Sequence, residues 1–124
     1  PDDEEISRSI VELYYRRGEE RKAGHEMDRY LERFDPDKQS SDILNYLENI
    51  KEDNPKEAGI RRKIADFYQS RDEKAYAISE LDALGDMLLD EGDTLGAIRI
   101  IEEIISLEPS NVEEYKRLLE QLRS

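Results

Sequence analysis

The sequence predicts an all-α fold, an α-solenoid of about three antiparallel helical hairpins followed by a C-terminal capping helix, seven helices in total. Three observations predict it. Apolar residues recur at intervals of three and four along nearly the whole chain, the period of an amphipathic helix. Gly, Pro, Asn and Asp interrupt that period at short intervals. The connections are therefore only a few residues long, which makes successive helices antiparallel neighbours. Residues 81 to 109 also carry a helix–turn–helix spacing: Leu81-x2-Leu84-Gly85-x2-Leu88, then Ala97-x3-Ile101, then Pro109.

The first helix is expected over about 4–17, with Ile6, Ile10, Leu13 and Tyr14 on one face and Gly18 ending it. The second runs from about Glu20 to Phe34, with Ala23, Met27, Tyr30, Leu31 and Phe34 in register, and stops at Asp35-Pro36-Asp37. The third covers about 41–53, with caps available at Ser40 to Asp42 and a stripe of Ile43, Leu44, Leu47 and Ile50. Asn54 is expected to cap the fourth helix and Pro55 to take its first position, where a missing N–H costs nothing. That helix extends to about Ser70 through Ile60, Ile64, Ala65, Phe67 and Tyr68.

Asp72 is the expected cap of the fifth helix, from Glu73 to about Glu91, which carries Ala77, Ile78, Leu81, Leu84, Leu88 and Leu89. Gly85 lies inside it at a cost of roughly 1 kcal/mol relative to Ala, which implies a close helix neighbour. Gly92 ends this helix and Asp93 or Thr94 caps the sixth, which reaches about Leu107 through Leu95, Ala97, Ile98, Ile101, Ile104 and Ile105. Ser110 and Glu113 have capping-box spacing for the seventh, over 111–123, with Val112, Tyr115, Leu118, Leu119 and Leu122. The hairpins are expected at about 4–35, 41–70 and 73–107, all in one domain.

Composition narrows the function. The 124 residues include 19 basic and 32 acidic ones, a net charge of −13. Such a charge disfavours nucleic-acid backbones and anionic membranes and permits a basic partner. There is no cysteine, so thiolate chemistry is absent, and a cytoplasmic location is the expectation. No apolar run approaches the ~20 residues needed to span a bilayer. The chain opens on Pro1, which fits a fragment or processed form.

The spacing over residues 78 to 111 resembles the tetratricopeptide repeat, as found in bacterial proteins, with Leu or Ile in its aromatic slots. Ile10, Val11, Tyr14, Ala23 and Met27 fill further slots in the first hairpin. Ser7 occupies a slot that is normally bulky, and Pro36 falls one residue late. Arg61-x2-Ile64-Ala65-x2-Tyr68 also looks like the first half of a repeat. Two parses follow: simple alternation of hairpins, or a fifth helix that closes one repeat and opens the next.

The resemblance implies a right-handed solenoid whose first helices line a concave, acidic groove that holds a partner's peptide or helix. The groove slots would be Arg8, Glu12, Tyr15 and Arg16, together with Glu5, in the first repeat, and Ser79, Asp82, Asp86, Leu89 and Asp90 in the last. Asp82, Asp86 and Asp90 stand at i, i+4 and i+8, so three carboxylates share one helix face. That face is either solvated or a patch for Lys and Arg of a partner. The slots that hold Lys and Asn in repeats gripping a C-terminal carboxylate hold Arg8 with Glu12, and Asp82 with Asp86, so that mode is not expected. Tyr15, beside Arg16, is either an exposed anchor or packed on a neighbouring helix.

Arg61-Arg62-Lys63, the one basic run, reads as a helix face pairing with acidic neighbours or as a local anion site. His25 is the sole histidine, with no partner evident in the sequence. No phosphate loop, HExxH or nucleophile elbow is present. The expectation is a non-catalytic scaffold with no cofactor and no metal, binding a protein or peptide. The alternative is a structural spacer or self-association segment of a longer repeat protein.

Overall fold

The computed structural model describes residues 2–124, with side chains from residue 3 onward. Among these residues there are seven α-helices and no strand: α1 (Asp2–Arg16), α2 (Glu20–Leu31), α3 (Ser40–Asp53), α4 (Ala58–Ser70), α5 (Lys74–Asp90), α6 (Thr94–Ser106) and α7 (Val112–Arg123). They gather into two compact units, residues 1–60 and 61–124, with the division inside α4.

In the first unit α1 packs against both α2 and α3. The α1–α2 turn follows from Gly18, whose φ of 73° is open to glycine at little cost. There the Glu19 N–H donates to Tyr14 O at 2.8 Å and the Gly18 N–H to Tyr15 O at 3.0 Å, a Schellman closure. The core holds Val11, Tyr15, Ala23, Met27, Tyr30, Ile43, Tyr46, Leu47 and Ile50.

The buried face of α1 differs from the expected stripe. Ser7, Val11 and Tyr15 point inward, whereas Ile6 is 57% and Leu13 46% exposed. The reason is visible at Ser7. It is fully buried, and its Oγ lies 2.8 Å from the hydroxyl of buried Tyr46 on α3. Tyr46 in turn stacks on Tyr30, with ring centroids 4.4 Å apart. A satisfied hydroxyl pair next to two stacked rings thus takes a place that an aliphatic count assigns to isoleucine. Burial pushes the Tyr46 phenol up to about 12.

Two further boundaries differ. Asn54 caps the end of α3 rather than the start of α4: its Nδ2 donates to Ile50 O at 2.9 Å. Pro55 then lies in a turn closed by the Glu57 N–H on Asn54 O at 3.1 Å, so α4 begins at Ala58. The second helix ends at Leu31, three residues before Phe34.

In the second unit α6 packs against α5 and α7. Its core holds Ile64, Ala65, Ala77, Leu81, Leu84, Ala97, Ile100, Ile101 and Ile104. Gly85 is buried at the α5–α6 contact, where a Cβ would meet Ile100 Cγ2 at 3.7 Å. The neighbour on α6 is Ile100, but at an ordinary contact distance, so, contrary to expectation, the packing there does not require glycine. Leu95, placed on the α6 stripe by spacing, is 70% exposed at the first turn. Asp93 caps α6 as expected, its Oδ1 accepting from the Gly96 N–H at 2.9 Å.

Asp72 has a different role from the expected cap. It adopts φ 59° and closes α4 in the manner of Gly18 and Gly92. The Glu73 N–H donates to Tyr68 O at 2.9 Å and the Asp72 N–H to Gln69 O at 3.0 Å. The same pair of bonds recurs after α5, from Asp93 to Leu88 O at 2.8 Å and from Gly92 to Leu89 O at 3.0 Å. One turn geometry therefore follows α1, α4 and α5.

Candidate functional site

The ten residues expected to line a groove fall in two sets, five in each unit. In the first unit, Arg8 comes from the middle of α1 and reaches α3. Its Nε and Nη2 donate to the two carboxylate oxygens of Asp53 at 2.8 and 2.9 Å, and Glu4 lies 3.5 Å from Nη1. The hydrogen bonds it donates to Asp53 hold the guanidinium in its charged form, raising its pKa. Arg16, one turn beyond Glu12, donates to it at 3.3 Å on the exposed side of the helix.

These residues line two adjoining depressions. One, of about 340 Å³, is bounded by Glu12, Tyr15, Arg16 and the turn at residues 53–57. The other, of about 470 Å³, is bounded by Glu5, Arg8, Ser9, Glu12 and Asp53. They meet at Glu12 and Asp53, so all five expected residues of this unit, Glu5 among them, border one surface. Tyr15 is its floor rather than an exposed anchor. Its side chain is buried, and a Cβ on Gly59 would lie 3.7 Å from its hydroxyl. Burial, with the charges of Glu57 and Glu20, pushes the phenol up to about 12.

In the second unit the carboxylate row is real and open. Asp82, Asp86 and Asp90 are all exposed on α5, as is Ser79, with Leu89 half-buried at the margin. Asp82 accepts a hydrogen bond from the Tyr115 hydroxyl of α7 at 3.0 Å. Burial and that bond push the Tyr115 phenol up to about 12. Among the described residues no Lys or Arg pairs with Asp86 or Asp90. Partial burial, then the negative charges of Asp82 and Asp90, raise the pKa of the Asp86 carboxyl. Glu103 and Glu26 have the opposite environment. Arg62 donates to both oxygens of Glu103 at 2.8 and 2.6 Å, Gln69 adds a bond of 2.8 Å, and the Glu103 pKa falls. Glu26 is lowered in the same way by Arg29.

The basic run is used internally. Arg62 is shared between Glu103 and Asp66, and Arg61 lies 3.5 Å from Glu80. His25 is exposed on α2 and borders a depression of about 320 Å³ with Tyr14, Lys22, Glu26 and Arg29. Among the described residues no group of three or more His, Asp and Glu side chains is arranged to hold a metal ion, and the row on α5 is spread over two turns. The sequence signalled the row through its four-residue spacing. It gave no signal for Asp53, which closes the first surface from another helix, or for Tyr115, which borders the row from α7.

Compared with known proteins, the chain matches no family model, no curated protein and no solved structure.

Proposed function

We propose that this chain is a non-catalytic protein–protein interaction module that binds a basic segment of a partner protein on the acidic face of α5. One observation carries the reading: Asp86 is flanked by two further carboxylates, has no cation beside it among the described residues, and has a raised pKa. Like charges at i and i+4 destabilise a helix, so an unpaired row opposes the fold that carries it. Lys or Arg supplied by a partner removes that penalty and strengthens each charge pair on desolvation.

The spacing of the row suits an extended partner segment. Four residues of helix rise about 6 Å. Alternate residues of an extended chain are about 6.6 Å apart. An extended segment with Lys or Arg at every second position therefore places successive cations over Asp82, Asp86 and Asp90. Half-buried Leu89 offers apolar contact beside them.

The tetratricopeptide resemblance supports this reading through residues whose placement fits it. Leu81, Leu84, Gly85, Ala97 and Ile101 are buried within the α5–α6 hairpin, and the row lies on the first helix of that hairpin.

The test is calorimetric titration with a peptide carrying alternating Lys. The expected result is binding that weakens with salt and is lost in the Asp82→Asn/Asp86→Asn/Asp90→Asn variant, whose helical content is unchanged. Equal affinity for the variant would remove the α5 face as the site.

A further inference from the structure

We infer that the outward face of α1 is a self-association surface, on which a second copy of this chain packs its own α1 antiparallel. Exposed Ile6 and Leu13, with half-buried Ile10 between them, stand at i, i+4 and i+7, on the side of the helix away from the buried Ser7, Val11 and Tyr15. Ile6 and Leu13 are two of the four large apolar side chains most exposed in the chain. An exposed apolar strip along a helix is the feature that helix pairing covers.

The charges at its ends identify the occupant. Asp3 and Glu5, both exposed, lie at the N-terminal end, and Arg16 and Arg17, also exposed, at the C-terminal end. Arg17 is one turn beyond Leu13, to whose carbonyl its N–H donates at 3.2 Å, so it continues the strip. A parallel pair would set acid against acid and base against base. An antiparallel pair about a two-fold axis sets Ile10 against Ile10 of the second copy, Ile6 against its Leu13, and Asp3 against its Arg17. The strip is thus complementary to itself in one orientation only, which an isologous interface requires. Antiparallel helix dipoles favour the same orientation. Asp3 also pairs with Arg33 at 3.2 Å, but remains 69% exposed and free to share its charge.

The strip shares no residue with the α5 row, so the two proposals fail independently. Sedimentation equilibrium of the whole chain tests this one. The expected result is a concentration-dependent dimer that also forms in the Asp82→Asn/Asp86→Asn/Asp90→Asn variant. Leu13→Glu, at an exposed position, should weaken dimerisation at least about tenfold, because a two-fold interface meets the substitution twice. The chain contains no cysteine, so Ile10→Cys is a single reporter. Under mild oxidation it should give a covalent dimer, whereas Leu95→Cys, at a more exposed site in the other unit, should give little. A monomer at every concentration up to roughly 1 mM, a dimer unaffected by Leu13→Glu, or equal cross-linking at Leu95→Cys would each overturn the inference.

Discussion

Ser7 shows how a single side chain sets the orientation of a helix. Its hydroxyl and that of Tyr46 satisfy each other inside the first unit, 2.8 Å apart. Removing the Ser7 hydroxyl takes away the partner of the buried Tyr46 hydroxyl, at a cost of about 1–3 kcal/mol, whereas Ser7 itself also bonds Glu26. Ser7→Ala should therefore lower stability by that amount in urea denaturation. Ser7→Ala/Tyr46→Phe should cost less than the two single losses together, and full additivity would contradict the pairing. Gly85 makes the corresponding point in the second unit. A Cβ there meets Ile100 at an ordinary contact distance of 3.7 Å. Gly85→Ala should consequently gain roughly 0.5–1 kcal/mol from helix propensity. Gly85→Leu should lose about 1–3 kcal/mol by overpacking. Thermal melts of the two variants should move in opposite directions.

Asp86 provides a pH test at the same scale. Its carboxyl pKa is raised in the folded chain by partial burial and by Asp82 and Asp90. A raised carboxyl favours the folded state while protonated, and that contribution is lost as pH rises through the folded pKa. Asp86→Asn should accordingly raise the melting temperature at pH 7, with a gain of about 0.5–1 kcal/mol for two like-charge neighbours. The gain should vanish below about pH 4, where ordinary aspartate protonates. A constant difference across that window would assign the effect to something other than charge.

Among the helices, one turn is built three times, after α1, α4 and α5, with bonds of 2.8 to 2.9 Å closing each. Glycine occupies the left-handed position in two of these and Asp72 in the third, at φ 59°. A non-glycine residue there costs about 1 kcal/mol or more. Asp72→Gly is therefore expected to stabilise the chain by about 1 kcal/mol in chemical denaturation. A loss of stability would show that the Asp72 side chain has a role beyond the turn. The sequence revealed this level well where punctuation was strong: Gly18, Gly92 and the Asp93 cap fell where expected. It misled where a residue had two plausible roles. Asn54 suits either the end of one helix or the start of the next, and the Ile50 carbonyl decides it. Asp72 resembles a cap but serves as a glycine substitute. The face of α1 was misread because aliphatic periodicity does not register a serine whose hydroxyl is satisfied from another helix. The α5 row was legible because its four-residue spacing depends on one helix alone. The surface around Arg8 was only half legible, because Asp53 joins it from α3.

For the whole molecule, charge is the dominant property. Residues 72–124 hold 14 acidic and 5 basic side chains, within a total net charge of −13. Much of the acid is already matched, as Glu103 is by Arg62 and Glu26 by Arg29. On α5, Asp86 and Asp90 share one face with Asp82 and, among the described residues, pair with no Lys or Arg. No described helix is long and apolar enough to cross a membrane. The most direct test of the binding claim is a nuclear magnetic resonance titration of the isotopically labelled chain with the alternating-Lys peptide. The account predicts amide shift changes concentrated at residues 79–90 and around Tyr115, saturating with peptide and abolished in the triple Asn variant. Changes confined to the surface around Arg8 and Tyr15, or spread evenly over both units, would contradict it.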